Sequence, residues 1–254
     1  MATLSGAVEG FQPSARAFHF PNAWPDAPLF TIELGALKMP IGTAAGGLCG
    51  GMAFAVRDFK QADIDMPADS ACPAAGTPLY QYLVKRLWQS WNAPLGILKY
   101  FSLMDPDPAG GLVHNLALAF GFVLPVAWAP PQGRASTMIR EEWPKVKEDI
   151  SRNRLSALGL IKVLSDNPLD LVYNHQVLAH AYELKDDDLT LRLYDPNWPD
   201  NDDISLSLNI GHPDQPTPVH YHSPAVPEEA VYCFFRNSYH YRRPWKKVTA
   251  SILK

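Results

Sequence analysis

The chain predicts an α+β fold, and three observations carry that prediction. The first half reads as helices, the second as short strands, and the texture changes near Leu155. Segments 158–163, 175–183, 189–194, 204–210 and 231–235 are each apolar or alternating, with turn residues between them, the signature of strands. Lys185-Asp186-Asp187-Asp188 is a polar turn between two of these runs and predicts a hairpin. Helices followed by strands, rather than alternating with them, place the chain in the α+β class.

Taken in order, residues 1–37 form an arm rich in proline and aromatics, with a short strand or connection over Thr31–Leu37. Glycines at 42, 46, 47, 50 and 51 crowd the approach to a helix from about Cys49 to Phe59. Met52, Val56 and Phe59 recur there at helical spacing, which sends Arg57, Asp58 and Lys60 towards solvent. Thr77-Pro78 is a start signal, an N-cap followed by proline at the first helical position. The helix it opens carries Leu79, Leu83, Leu87 and Trp91 on one stripe. Further helices are expected over Gly111–Phe120 and Thr137–Ser151. The whole chain, 1–254, is expected to be one domain, with a helical lobe at about 38–152 and a β lobe at about 153–254.

Composition narrows the function. A hydrophobic content of 47% with 19% charged residues describes a folded chain rather than a disordered one. A net charge of −4 gives no field that would gather nucleic acid or anionic lipid. The basic cluster Arg242, Arg243, Lys246 and Lys247 reads as a solvated tail interleaved with packing aromatics. The longest apolar stretch, Leu116–Ala129, is broken by Pro125 and falls short of the roughly 20 residues of a membrane span. Met1-Ala2-Thr3-Leu4-Ser5-Gly6 has no secretory pattern, so the cytoplasm is the default expectation; signal-independent export is compatible with it. Three cysteines, Cys49, Cys72 and Cys233, make neither a disulfide framework nor a zinc spacing. No metal site and no cofactor is expected. Asp200-Asn201-Asp202-Asp203 lacks the spacing of a calcium loop, and His220 and His222 lack a third ligand.

Three residues bring chemistry instead. Cys49 falls in the first turn of its helix, where free N–H groups and the positive dipole end favour a thiolate. That dipole is worth at most about 2 kcal/mol, so a stable thiolate also needs an imidazolium. Among eight histidines, His175 opens a strand after Asn174 and is the best placed; His180, five positions on, should project from the opposite face. Leu189, Leu191, Leu193 and Asp195 share one face of the next strand. Asp195 thus ends an apolar row, where a carboxylate needs a partner, and the His175 ring would provide one. Asn197, after Pro196, is a second candidate orienter whose simpler role is shaping the turn.

Gly-Leu-Cys49-Gly, then His175-Gln176-Val177-Leu178-Ala179-His180-Ala181-Tyr182, then Tyr194-Asp195-Pro196-Asn197 resemble the papain-like cysteine peptidases, particularly bacterial members near the bacteriocin-processing peptidases. The resemblance spans roughly residues 40–210. It implies a papain-like fold, Cys49 as nucleophile, His175 as general acid and base, Asp195 as orienter, and a peptide or protein substrate. Two departures stand out. Thr43 occupies the place of the glutamine that usually completes the oxyanion hole, and Gly50 replaces the tryptophan that often follows the cysteine. Oxyanion binding is therefore expected from Thr43, Leu48 or Cys49 in the glycine loop. A peptidase or isopeptidase is the leading expectation. A non-catalytic binding domain of the same fold, or an acyltransferase or deamidase of toxin or biosynthetic type, are the alternatives.

Overall fold

Alternating apolar residues in the second half of the chain bury one face of a curled antiparallel sheet, on which the helices of the first half pack. The computed structural model describes residues 3–24, 30–34, 37–41, 47–106, 133–224 and 226–249. Its elements are β1 (Thr3–Ala7), α1 (Pro13–Arg16), β2 (Phe30–Leu34), β3 (Leu37–Ile41), α2 (Cys49–Ala62), α3 (Pro78–Ser90) and α4 (Leu95–Met104). A helical turn (Gly133–Ser136) and a π-helical stretch (Thr137–Glu142) lead into α5 (Trp143–Ser151). After these come β4 (Ser156–Ile161), a 3₁₀ segment (Pro168–Tyr173), β5 (His175–Lys185), β6 (Asp188–Tyr194), β7 (Ser205–Asn209), β8 (Val219–Ser223), β9 (Val226–Val231), β10 (Cys233–Arg236) and α6 (Lys246–Thr249).

The main sheet runs in the order β10-β4-β5-β6-β7-β8-β9. Tyr232 alone joins β9 to β10, so the chain steps from one end of that order to the other and the sheet curls on itself. The five strand segments expected from sequence all appear within a few residues of their expected ends. The predicted hairpin is there too: Lys185 pairs with Asp188, and Asp186 takes a positive φ of 54° to turn the chain. Sequence reading misses β1, β8 and β9. β1 belongs to the N-terminal arm and reaches the sheet because β5 is long enough to serve two partners on one edge. Residues 175–179 pair with β4, and residues 181–185 pair with β1. The switch falls at His180, where the ladder with β6 bulges.

The helical half departs from expectation in three places. A two-stranded β2–β3 ladder precedes the helices, so the helical part begins at Cys49 rather than near residue 38. α4 is not among the helices expected from sequence, and it escapes notice there because it is apolar nearly all round. Ile97, Leu98, Tyr100, Phe101, Ser102, Leu103 and Met104 are buried, which leaves no wide polar face to show a helical period. The helix expected over 111–120 and the apolar stretch 116–129 lie outside the described residues. Thr77 caps α3 as expected, its hydroxyl accepting from the Tyr80 N–H. The helix expected over Thr137–Ser151 is preceded by a helical turn at Gly133–Ser136 and is π-wound over Thr137–Glu142.

α2 lies at the centre. Met52, Val56 and Phe59 are buried, but so are Arg57 and Asp58, against the expectation that they face solvent. The helix is wrapped by α3, β5 and the strap after β10, so it has no wide polar face. Arg57 faces Asp149 of α5 at 3.7 Å, and Asp58 is answered from α3 and the strap. A guanidinium nitrogen of Arg86 lies 2.6 Å from Asp58, which also accepts from the Tyr82 and Tyr239 hydroxyls and the Arg242 N–H. Among the described residues no helix is long and apolar enough to cross a membrane.

Candidate active site

Cys49 is the first residue of α2, where helix geometry leaves its N–H without an intrahelical partner. The position is partly exposed, on the wall of a cavity of about 210 Å³ that Asn22, Trp91, Tyr173, His175 and Asn197 also line. Gly50 is required here. A Cβ on it would come within 2.3 Å of the Ser90 hydroxyl and 2.7 Å of the Gln176 amide, so α3 and β5 leave no room for a side chain after the cysteine.

His175 begins β5 and is nearly fully buried. Its Nε2 lies 2.7 Å from Asp195 Oδ1, which leaves Nδ1 as the ring nitrogen for the cavity side. Burial opposes a charge on the ring, but the Asp195 carboxylate, its hydrogen bond and the adjacent Cys49 sulfur outweigh it and raise His175 to about 10. Cys49 and His175 line the same cavity, and the sulfur is near enough to add to the rise at the ring. Structure therefore brings Cys49, His175 and Asp195 together in the expected order.

Asp195, at the end of β6, is held on every side. Oδ1 accepts from His175 and from the Asn197 N–H at 2.8 Å, and Oδ2 accepts from the Tyr221 hydroxyl at 2.7 Å. Burial by itself would raise its proton affinity, yet the His175 charge and these hydrogen bonds prevail and hold it below the ordinary carboxylate range. Asn197 shapes the turn through its N–H, and its Oδ1 accepts from Asn22 Nδ2 at 3.0 Å.

Of the oxyanion candidates, Thr43 lies outside the described residues. The Leu48 side chain is fully buried and its N–H is engaged, donating to Asn22 Oδ1 at 2.7 Å. Among the described residues no acceptor takes the Cys49 N–H. His180 packs against Phe11 at 5.5 Å, and burial drives it down to about 4, so it is uncharged. Cys72 donates its thiol to the Pro21 and Ala23 carbonyls, and burial pushes the Cys233 thiol up to about 12.

His220 and His222 are exposed on β8, and the residue between them, Tyr221, is the one that faces inward to Asp195. Among the described residues no group of three or more histidine, cysteine or acidic side chains could hold a metal ion. Asp202 and Asp200 anchor the N-terminal arm, to Gln12, Ser14 and His19.

Two members of the site were not legible in sequence. Tyr221 hides in an alternating strand whose histidines draw attention first. Asn22 lies in the aromatic arm, and no spacing rule ties it to Cys49. Comparison with protein-family models, with curated proteins and with solved structures gave no match.

Proposed function

We propose that this chain is a papain-like cysteine hydrolase that works by acyl transfer. One observation carries the reading: a thiol at a helix start shares a cavity with an imidazole whose far nitrogen is held by a buried carboxylate. The pair His175–Asp195 favours an imidazolium beside the sulfur, which is what keeps a cysteine ionised and nucleophilic. In the reaction, the Cys49 thiolate attacks a carbonyl carbon and the C=O π pair moves onto oxygen. As the tetrahedral species collapses, the bond to nitrogen breaks and the His175 imidazolium gives that nitrogen its proton. The thioester is then cleaved by water, from which neutral His175 takes a proton. Asp195 keeps the ring oriented and offsets its charge.

Resemblance in sequence favours a peptide or isopeptide bond in a protein substrate, in a reducing compartment such as the cytoplasm. The same electronics would serve deamidation or transfer to an amine. The competing reading is a binding domain of the same fold, and the missing glutamine before Cys49 is what favours it.

Iodoacetamide separates the two. At about pH 6 Cys49 should be alkylated at least ~10-fold faster than Cys72, and His175→Ala should abolish that advantage. Alkylation of Cys49 and Cys72 at equal rates, and only in alkaline solution, would favour the binding domain. Electrophilic peptide libraries that trap the acyl-enzyme would then define the substrate.

A further inference from the structure

We propose that Asn22, in the N-terminal arm, supplies the second oxyanion donor of this site, a side-chain amide that the sequence just before Cys49 does not contain. The inference rests on the acyl-transfer reading above and names a catalytic residue for it.

Hydrogen bonds fix which way round the Asn22 amide sits. Its Oδ1 accepts from two N–H groups, Leu48 N at 2.7 Å and Trp24 Nε1 at 3.2 Å, and neither can accept a bond. Oxygen is therefore the atom facing the start of α2, and Nδ2 is the donor end. An amide nitrogen carries two hydrogens. One goes to Asn197 Oδ1 at 3.0 Å. The other is the donor available to the cavity that Asn22 lines together with Cys49 and His175.

The chain around Asn22 is built to hold that amide still. Its own N–H donates to the Pro196 carbonyl at 2.8 Å, beside the Asp195 turn. The Cys72 thiol bonds the carbonyls of both its neighbours, Pro21 at 3.0 Å and Ala23 at 3.1 Å. Gly47 lets the amide approach the nucleophile's loop, since a Cβ there would lie 2.4 Å from Nδ2. Such preorganisation is what an oxyanion donor needs, because the donor must be in place before charge develops.

Gln176 is the rival donor on the same wall, and its packing argues against it. It is almost wholly buried, its Oε1 accepts from Asn237 Nδ2 at 2.9 Å, and its amide lies against Gly50 beneath the helix. Among the described residues, Asn22 and the Cys49 N–H are then the two donors. As the sulfur–carbon bond forms, the carbonyl π pair moves onto oxygen and meets both; as the leaving group departs, the pair returns to the C=O bond.

Two reagents that react at the same sulfur test this in the full-length protein. Acylation by p-nitrophenyl acetate develops an oxyanion and releases p-nitrophenolate. Alkylation by iodoacetamide displaces iodide and develops none. Asn22→Ala should slow acylation by about 100-fold or more, while alkylation on its high-pH plateau, where the thiol is ionised, is unchanged. Asn22→Asp guards against misfolding. Its carboxylate can still accept from Leu48 and Trp24, and Asn197 can turn its amide to donate to it, yet it offers the cavity no proton. It should show the same selective loss.

Acylation and alkylation falling together, or acylation unchanged in both variants, would overturn the role of Asn22. A wild-type Cys49 that takes no acyl group from the ester would instead overturn the acyl-transfer reading, and this inference with it.

Discussion

Asp58 and Asp195 are both buried with a cation and at least one tyrosine hydroxyl against the carboxylate, and of the two only Asp195 lies beside the cavity that holds a nucleophile. Asp58, inside α2, meets Arg86, Tyr82, Tyr239 and the Arg242 N–H. Asp195, at the end of β6, meets His175, Tyr221 and the Asn197 N–H. Their proton affinities move in opposite directions. At Asp58 burial wins over Arg86 and the hydroxyls, and its pKa is raised; at Asp195 the His175 charge and hydrogen bonds win over burial, and its pKa is lowered. The cations differ in kind as well. A guanidinium is a fixed charge and keeps its protons at any working pH, so the Asp58 cluster can only hold α2 to α3 and to the strap after β10. An imidazole can release a proton, and its second nitrogen opens on a cavity beside sulfur. Burying charge is common to both clusters; an exchangeable proton next to a nucleophile is particular to one.

The sharpest way to separate them is to remove each cation. His175→Ala should slow acylation of Cys49 by about 10⁴-fold, the scale on which a triad behaves as a unit. Arg86→Met should leave acylation of the folded protein close to wild type, but lose about 3–5 kcal/mol of stability, because Asp58 stays buried without its counter-charge. Urea denaturation and p-nitrophenyl acetate turnover read the two effects separately. If Arg86→Met slowed acylation as much as His175→Ala does, the division between a structural and a chemical cluster would fail.

Matched tyrosines give a finer contrast. Tyr221 and Tyr82 each donate to a carboxylate oxygen at 2.7 Å. Replacing either with phenylalanine should cost about 1.5–3 kcal/mol in urea denaturation, the worth of a hydrogen bond to a charged group. Acylation should fall about tenfold in Tyr221→Phe alone, since only there does the hydroxyl steady the partner of a reacting imidazole. Equal acylation rates in the two variants would reduce Tyr221 to a packing residue.

The same two carboxylates explain what sequence could and could not reveal. Asp195 was legible because it closes the row Leu189, Leu191, Leu193 on one strand face, and a period of two leaves little doubt which way it points. Asp58 was misread because a helical period assumes one covered face, and α2 is covered from several sides. Cys49 and His175 were legible from local signals, a glycine-rich helix start and a strand start. Tyr221 was not, because pairing of β8 with β7 sets its register and no local signal does. Asn22 needed the path of the arm over the site, which β1 fixes by joining β5 far along the chain. The α+β class rests on element order and survives all of these errors.

Stability against pH sets the two clusters apart with the least perturbation. Asp195 has a lowered pKa in the folded state, so it contributes stability above the ordinary carboxylate value of 3.8 and loses it as pH falls through its native value. Asp58 has a raised pKa, so its contribution is present below 3.8 and is lost as pH rises through its native value. Acidification should therefore weaken Asp195→Asn less than wild type, and Asp58→Asn more. His175 adds an alkaline counterpart. Raised from 6.5 to about 10, it stabilises the fold fully below 6.5, and that contribution drains away as pH climbs through about 10. Asp195→Asn, which removes the charge that holds the proton on the ring, should flatten that alkaline decline, whereas Asp58→Asn should leave it in place. Urea midpoints measured for the three proteins from acid to alkaline solution would read both limbs. An alkaline limb that flattens equally in Asp58→Asn would mean that it does not come from the His175–Asp195 pair, and the proposed imidazolium would lose its support.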